Sequence, residues 1–231
     1  MQNNKTKIVV FTGSGISAES GISTFRDAGG LWENHKVEDV ATADAWERNP
    51  ELILKFYNAR RKQLLESRPN VAHTLIAELE DIYDVSVITQ NVDDLHERAG
   101  STNVLHLHGE LTKCRSSKNN KLIYDIGEDL QMGQRAEDGS QLRPHIVFFG
   151  EDVPNMTPAM EITKTADIFV VIGTSLVVYP AASLLYYVRQ DAAVTLIDPN
   201  PPTNLSQNIN VIPKKATEGV TDFVEQLKNA K

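Results

Sequence analysis

Four short stretches of the chain combine residue types that can do chemistry. The first, V-V-F-T-G-S-G-I-S-A-E-S-G-I-S-T-F-R (residues 9–26), runs an apolar segment into Gly13, Ser14 and Gly15, with Ala18 three residues on. That is the G-x-G-x-x-A form of a dinucleotide loop. Glycines let backbone N–H groups approach a pyrophosphate, and the helix that follows offers its positive end. A tight strand-to-helix turn carries the same spacing, but the polar continuation through Glu19, Thr24, Phe25 and Arg26 is too rich for a plain connection. The acid that a nicotinamide dehydrogenase places on the ribose is missing from the end of a second strand. Glu38 and Asp39 stand at a suitable distance but inside a charged segment, so an ordinary dehydrogenase fits poorly.

The second stretch, V-I-T-Q-N-V-D-D-L-H (87–96), ends an apolar run in Thr89, Gln90, Asn91 and Asp93. Amides and a carboxylate at a strand's C-terminal edge suit a carboxamide and ribose hydroxyls; taken alone, a helix N-cap by Asn91 or Asp93 is the simpler reading. The third, H-L-H-G (106–109), offers a general base near neutral pH, or a hydrogen-bonded core histidine. Strand alternation puts His106 and His108 on one face, so spacing does not choose between them. The fourth, I-G-T-S-L (172–176), again ends an apolar run with a glycine, Gly173, and two hydroxyls, Thr174 and Ser175.

The elements that must position these residues alternate. Apolar runs at 8–11, 85–88, 168–172 and 194–197 are rich in Val and Ile, as buried parallel strands are. Between and after them, Ala72, Leu75, Ile76 and Leu79, and then Val220, Phe223, Val224 and Leu227, fall at helical spacing, and Pro180 opens a helix predicted over 181–189. Such alternation predicts an α/β fold, a Rossmann-like parallel sheet with helices on both faces, binding ligands at its strands' C-terminal ends. The loops at Gly13, Gln90, Gly173 and Asp198 all fall there. Two longer segments break the alternation, so the predicted division is 1–31, 70–111 and 145–231 for the Rossmann-like domain and 32–69 with 112–144 for a small second module.

The chain has 231 residues, 41% of them hydrophobic, which suits one large core with a smaller insertion. No apolar run is long enough to cross a bilayer, and the N-terminal one is too short for a signal peptide, so no membrane partner is expected. The net charge of −8 argues against nucleic acid as a partner. One cysteine, Cys114, excludes an intrachain disulfide and agrees with a cytoplasmic location. The oligomeric state is open, and a monomer is compatible with everything above.

Together these stretches resemble the sirtuins, the NAD-dependent protein deacylases. The glycine loop, T-Q-N-V-D-D-L-H-E-R-A-G, H-L-H-G and G-T-S come in the family's order, and R-P-H-I-V-F-F-G-E (143–151) matches its substrate-binding strand. The resemblance runs from about Lys7 to the C-terminal helix. It implies NAD as cofactor, with the pyrophosphate against Gly13, Ser14, Gly15, Ile16 and Ser17 and against Gly173, Thr174 and Ser175. Ala18, Glu19, Thr24 and Arg26 continue that loop, and Phe25 would shield the reactive face. Gln90, Asn91 and Asp93 would line the nicotinamide and ribose pocket, Asn91 and Asp93 also serving the catalysis. Asp198, Pro199 and Asn200 would stand at the adenosine ribose and Ala216 near the adenine. The implied chemistry is attack of an acyl-lysine carbonyl oxygen on the ribose C1′ as nicotinamide leaves, with His108 as general base. Lysine, nicotinamide and O-acyl-ADP-ribose are then the products. An acyl-lysine protein substrate would lie as a strand beside Val147, Phe148, Phe149 and Gly150, with Glu151 following. Ser14 replaces the family's usual alanine, and Asp198 leads where asparagine is usual.

F-Y-N-A-R-R (56–61) sets Tyr57 and Arg60 three apart, on one helix face. An ordinary amphipathic helix with exposed arginines has the same pattern. The stretch also resembles the acyl-pocket signature of sirtuins that remove succinyl and malonyl groups, whose carboxylate an arginine can hold through two parallel N–H bonds. Most sirtuins carry two cysteine pairs after H-x-H-G; one cysteine cannot make that site, so no zinc is expected. Packing must replace it, with Leu122, Ile123, Tyr124, Ile126, Leu130, Met132 and Leu142 as candidates. An NAD hydrolase, an ADP-ribosyltransferase and a noncatalytic NAD-binding module are the competing readings.

Overall fold

The computed structural model describes residues 5–23, 31–32, 35–174, 176, 178–202 and 208–229. In chain order the strands are β1 (Lys7–Thr12), β2 (Leu31–Trp32), β3 (His35–Lys36), β4 (Asp84–Thr89), β5 (Val104–His106), β6 (Gly109–Ser116), β7 (Ile123–Asp125), β8 (Leu142–Ile146), β9 (Ile168–Ile172), β10 (Ala193–Ile197) and β11 (Ile209–Ile212). The α-helices are α1 (Val37–Val40), α2 (Ala43–Arg48), α3 (Pro50–Glu66), α4 (Val71–Glu78), α5 (Leu95–Ala99), α6 (Met156–Thr163) and α7 (Ala216–Asn229). No helix among the described residues is long and apolar enough to cross a membrane.

Six strands form one parallel sheet in the order β11-β10-β9-β1-β4-β5. Alternation along β1 explains why it is apolar throughout. Ile8 and Val10 join a core layer with Ala72, Ile76, Val220 and Phe223 of α4 and α7. Val9 and Phe11 face the opposite layer, with Ala159 of α6 and Leu184. A strand covered on both faces has no polar side to show. The Rossmann-like parallel sheet predicted from the sequence is therefore present, with helices on both faces. The strand order reverses between β1 and β9, which brings the loops after these parallel strands side by side at the crevice where such sheets bind ligands.

Two local expectations are corrected. The helix predicted over 181–189 is a 3₁₀ turn, Ala181–Tyr187, and Val188 is extended. The strand predicted to carry the substrate, Val147 to Gly150, is not a strand. β8 stops at Ile146, Phe149 makes only an isolated bridge to Thr42, and Gly150 has a left-handed φ of 91°.

A second core lies beside the sheet, formed by α1, α2 and α3 and by the antiparallel strands β7-β6-β8. β6 begins at Gly109 and β8 ends at Ile146, so both cross the boundaries predicted at 111 and 145. Helix α3 starts where Asn49 accepts a hydrogen bond from the Leu52 amide at 3.1 Å, with Pro50 in the first turn, where its missing N–H costs nothing. It ends where the Arg98 guanidinium donates to the carbonyls of Leu64 and Ser67.

The polar stretch after β6 is held by packing and hydrogen bonds. Cys114 is 3% exposed and paired across β6 with Tyr124 and Pro144, so it is a core residue. Leu130 is buried in the same core, and Tyr124, Ile126 and Leu142 pack against it. Ile123 and Met132, two of the predicted packing residues, are instead 42% and 45% exposed. The Ser116 hydroxyl lies 2.6 Å from Asp138 Oδ2 and 2.7 Å from Ser140 Oγ, and it accepts from the amides of Lys118 and Asn119. Among the described residues no group of three or more His, Cys, Asp or Glu is placed to hold a metal ion. Elemental analysis of the purified protein should find less than one zinc per ten chains, and a chelator should leave the melting temperature unchanged. A structural zinc contributes its binding energy to folding, so a chelator-induced drop of several degrees would contradict this.

Candidate active site

The loops after β1 and β9 meet backbone to backbone. The Gly13 amide donates to the Ile172 carbonyl at 3.0 Å and the Gly15 amide to the Gly173 carbonyl at 2.9 Å. A Cβ on Gly15 would stand 2.6 Å from Gly173 Cα, and one on Gly13 2.7 Å from Thr174 Cβ, so neither position admits a side chain. The glycines predicted to admit a pyrophosphate thus have a nearer cause, the approach of the second loop. The amides of Gly13, Gly15, Ile16 and Ser17 are all bonded within the protein. Glu19, predicted at the cofactor, holds the start of α7: its carboxylate accepts from Thr217 N at 3.0 Å and Thr217 Oγ1 at 2.8 Å. Thr24, Phe25, Arg26 and Ser175 lie outside the described residues. Asp198, Pro199 and Asn200 follow β10, where Asp198 is buried and accepts from the Asn200 amide at 2.8 Å; Ala216 is buried at the start of α7.

Beneath these loops lies a buried polar network anchored on Ser17. Its hydroxyl donates to Asp93 Oδ2 at 3.0 Å and accepts from Asn91 Nδ2 at 3.1 Å. Burial pushes the Asp93 carboxyl up, and the Leu95 amide and Ser17 hydroxyl oppose that. Two histidines that the sequence reading passed over complete the network. His73 Nε2 is 3.5 Å from Ser17 Oγ, and His96 Nε2 is 3.1 Å from Thr12 Oγ1, which donates to Thr89. Their rings meet edge to face at 5.0 Å, and burial holds His73 at about 4 and His96 well below its ordinary value, so both are neutral. The visible signal was P-N-V-A-H, since Asn70 caps α4 and reaches back to the Ile16 carbonyl at 2.8 Å.

The two histidines of H-L-H-G part company because β5 ends at His106 and the strand alternation stops there. His106 pairs with Glu97 at 2.7 Å and with the Asn91 carbonyl at 3.0 Å. Burial opposes its charge, but Glu97 and the carbonyl prevail and raise its pKa. His108 turns into a cleft with its Nδ1 3.1 Å from the Gln90 carbonyl. A carbonyl only accepts, so Nδ1 carries the proton and Nε2 is left as the basic nitrogen. Burial lowers the pKa of His108, partly offset by that hydrogen bond.

The cleft has a volume of about 210 Å³. Gln90, Asn91, Asp93 and Ser14 line it from the sheet side, Tyr57 and Arg60 from α3, and the segment from Val147 to Glu151 from beyond β8. Val178 and Tyr179, with Pro180, which was expected only to open a helix, close one side. Gln90 Nε2 is buried and has no hydrogen-bond partner among the described residues. Tyr57 is 1% exposed and Arg60 is 6% exposed, so neither belongs to an exposed helix face. The Tyr57 ring lies 5.8 Å from that of Phe148, and burial raises its pKa well above the ordinary phenol value.

Glu151 shapes the wall after β8. Its carboxylate takes Arg143 at 2.6 Å, Arg115 at 3.0 Å and the Phe148 amide at 2.8 Å, while the Arg143 guanidinium stacks 3.9 Å over the Phe148 ring. Burial alone would raise the Glu151 pKa, and the two arginines and the amide outweigh it. The amides of Val147 and Phe149 donate to the carbonyls of His108 and Ala41. With three successive amides bonded within the protein, the segment does not offer an incoming peptide the full edge of a strand.

A family model described as the Sir2 family matches residues 13–180. A relative from Bacteroides thetaiotaomicron, named NAD-dependent protein deacylase, is 56% identical over 227 residues, which cover 95% of this chain and 97% of the relative. A relative of the same name from Helicobacter pylori strain J99 is 51% identical over 221 residues, covering 95% of this chain and 94% of the relative. Among solved structures, a Sir2 homologue–NAD complex is 39% identical with a TM-score of 0.86 and covers 98% of this chain and 91% of its own. A Sir2–p53 peptide–NAD+ complex is 32% identical with a TM-score of 0.80, covering 98% and 95%. Matched across most of its length in both sequence and backbone, the chain belongs to the Sir2 family.

Proposed function

We propose that this protein is an NAD-dependent protein-lysine deacylase whose acyl pocket accepts groups ending in a carboxylate, such as succinyl and malonyl, as well as acetyl. The observation that carries the proposal is that Tyr57 and Arg60 line the same cleft as His108 and Gln90. The residues present fit the cofactor. The buried Gln90 donor lacks a hydrogen-bond partner among the described residues and suits a carboxamide oxygen, and Asn91 and Asp93 offer polar groups for ribose hydroxyls. Bound NAD would supply an electrophilic ribose carbon with nicotinamide as leaving group. In this reading residues 1–31, 70–111 and 145–231 form the domain that holds the dinucleotide, 32–69 bring Tyr57 and Arg60 to the acyl chain, and 112–144 pack behind them.

The roles then follow from the geometry. His108, neutral and with Nε2 open to the cleft, takes a proton from a ribose hydroxyl. His106 has both ring nitrogens engaged, by Glu97 and by the Asn91 carbonyl, and so is no base. Phe148 and Phe149 wall the acyl-lysine chain, and Glu151 holds that wall in place through its arginines. The wall's side chains receive the peptide, since the amides of Val147, Phe148 and Phe149 and the carbonyls of Phe148 and Phe149 are engaged within the protein. Arg60 pairs with an acyl carboxylate, and Tyr57 adds a neutral donor.

His108→Ala should lower deacylation at least about a hundredfold while leaving NAD binding largely intact. A base must be unprotonated to act, so kcat/KM should be full above the His108 pKa and fall as pH drops through it. Because burial lowers that pKa, the acid limb should lie below the ordinary imidazole value of 6.5. A limb above that value in the wild type, or near-normal turnover in the variant, would overturn the assignment. Arg60→Met should raise KM for a succinyl-lysine peptide about a hundredfold, because an acyl carboxylate is left desolvated and unpaired. The same peptide carrying acetyl should change only a few fold. Tyr57→Phe should act in the same direction more weakly. Equal losses on both substrates would mean that Arg60 serves the fold or the NAD site.

A further inference from the structure

One helix carries both the pocket residues and a separate set of anchors. On α3, Tyr57 and Arg60 face the cleft, while Asn58 and Arg61 stand one residue further along, about 100° round the axis. Asn58 binds the backbone of Leu130 twice, donating to its carbonyl at 2.9 Å and accepting from its amide at 3.0 Å. Arg61 is 5% exposed and donates to the Glu128 carbonyl at 2.9 Å, to Asp129 Oδ1 at 3.0 Å and to Asn58 Oδ1 at 3.2 Å. Lys62 reaches Asp129 Oδ2 at 2.7 Å from the solvent side. Residues 128–130 are thus strapped to the middle of the helix by directional bonds.

We propose that the Asn58–Arg61–Asp129 strap is a specificity-determining positioning device that sets the rotation of α3 and thereby places Arg60 for a charged acyl group. The inference rests on the acyl reading above and goes beyond it, because none of these three residues lines the cleft. On its cleft side the helix packs the Tyr57 ring against that of Phe148 at 5.8 Å. Apolar packing is non-directional and tolerates a small turn of the helix. Hydrogen bonds to a fixed backbone do not. A rotation of about 10° moves a group roughly 6 Å from the axis by about 1 Å, a displacement that costs about a hundredfold where alignment matters. A bidentate arginine–carboxylate pair needs that alignment, and a methyl group in the same space does not. The strap also ties the acyl pocket to the polar segment after β6, which a chain with a single cysteine cannot anchor with a four-cysteine metal site.

The test compares Asn58→Ala, Asp129→Asn and Arg60→Met with the wild type, using one peptide carrying succinyl or acetyl on the same lysine. For both strap variants the KM for the succinyl peptide should rise at least tenfold with kcat within about twofold. The acetyl peptide and the KM for NAD should stay within about twofold. A merely structural role would lower the folded fraction, and with it the apparent kcat on both peptides alike, leaving both KM values in place; that pattern overturns the proposal. If Asn58→Ala does not fold, Asp129→Asn decides alone, since Asp129 is 37% exposed at its side chain and keeps its shape in the variant. If Arg60→Met lowers the succinyl-to-acetyl ratio and the strap variants do not, the strap fails while the acyl reading stands. If Arg60→Met also leaves the ratio unchanged, the acyl reading fails and the strap's role with it.

Discussion

The arrangement depends on two loops touching without side chains between them. The strand order switches between β1 and β9, and there the Gly13–Gly15 turn reaches Gly173. That contact fixes the height of Ser17, which gathers Asn91 and Asp93 from the neighbouring strand end. Asn91 in turn offers its carbonyl to His106, and Gln90 offers its own to His108. A Cβ on Gly15 would push the loops apart and loosen each of these in sequence, so the dinucleotide signature is a packing requirement in its own right.

Charge is sorted around the cleft by pairing. Arg143 and Arg115 converge on Glu151, Arg61 on Asp129, and His106 on Glu97. Each pair satisfies charges that burial would otherwise disfavour. Three neutral histidines, His73, His96 and His108, fall into two kinds. His73 and His96 are sealed in the network under the loops, while His108 is half-buried with one nitrogen toward the cleft. Of these groups, only His108 combines a free basic nitrogen with access to a ligand, which is what a general base needs.

The sheet was legible because strands buried on both faces read as unbroken apolar runs, and the glycine and amide motifs fall at their ends. β11 escaped notice because I-N-V-I is short and broken by an asparagine at an edge. The choice between His106 and His108 was not legible, since it depends on β5 stopping after three residues. Nor was the bend at Val147–Gly150, which Glu151 imposes by folding back on the Phe148 amide. The separation of Arg60 from Arg61 was half legible: helical spacing from Tyr57 marks the first, but nothing local says that residues 128–130 claim the second.

On the proposed function, the cleft recognises a negative charge at the end of the acyl chain. That recognition is tested most directly with the wild-type protein and two peptides of equal shape, one bearing succinyl-lysine and the other its carboxamide analogue, in which the terminal carboxylate is replaced by an amide. If so, kcat/KM for the succinyl peptide should exceed that for the amide at least tenfold, about 1.4 kcal/mol, the scale of one charge-assisted hydrogen bond. Equal values for the two peptides would contradict it.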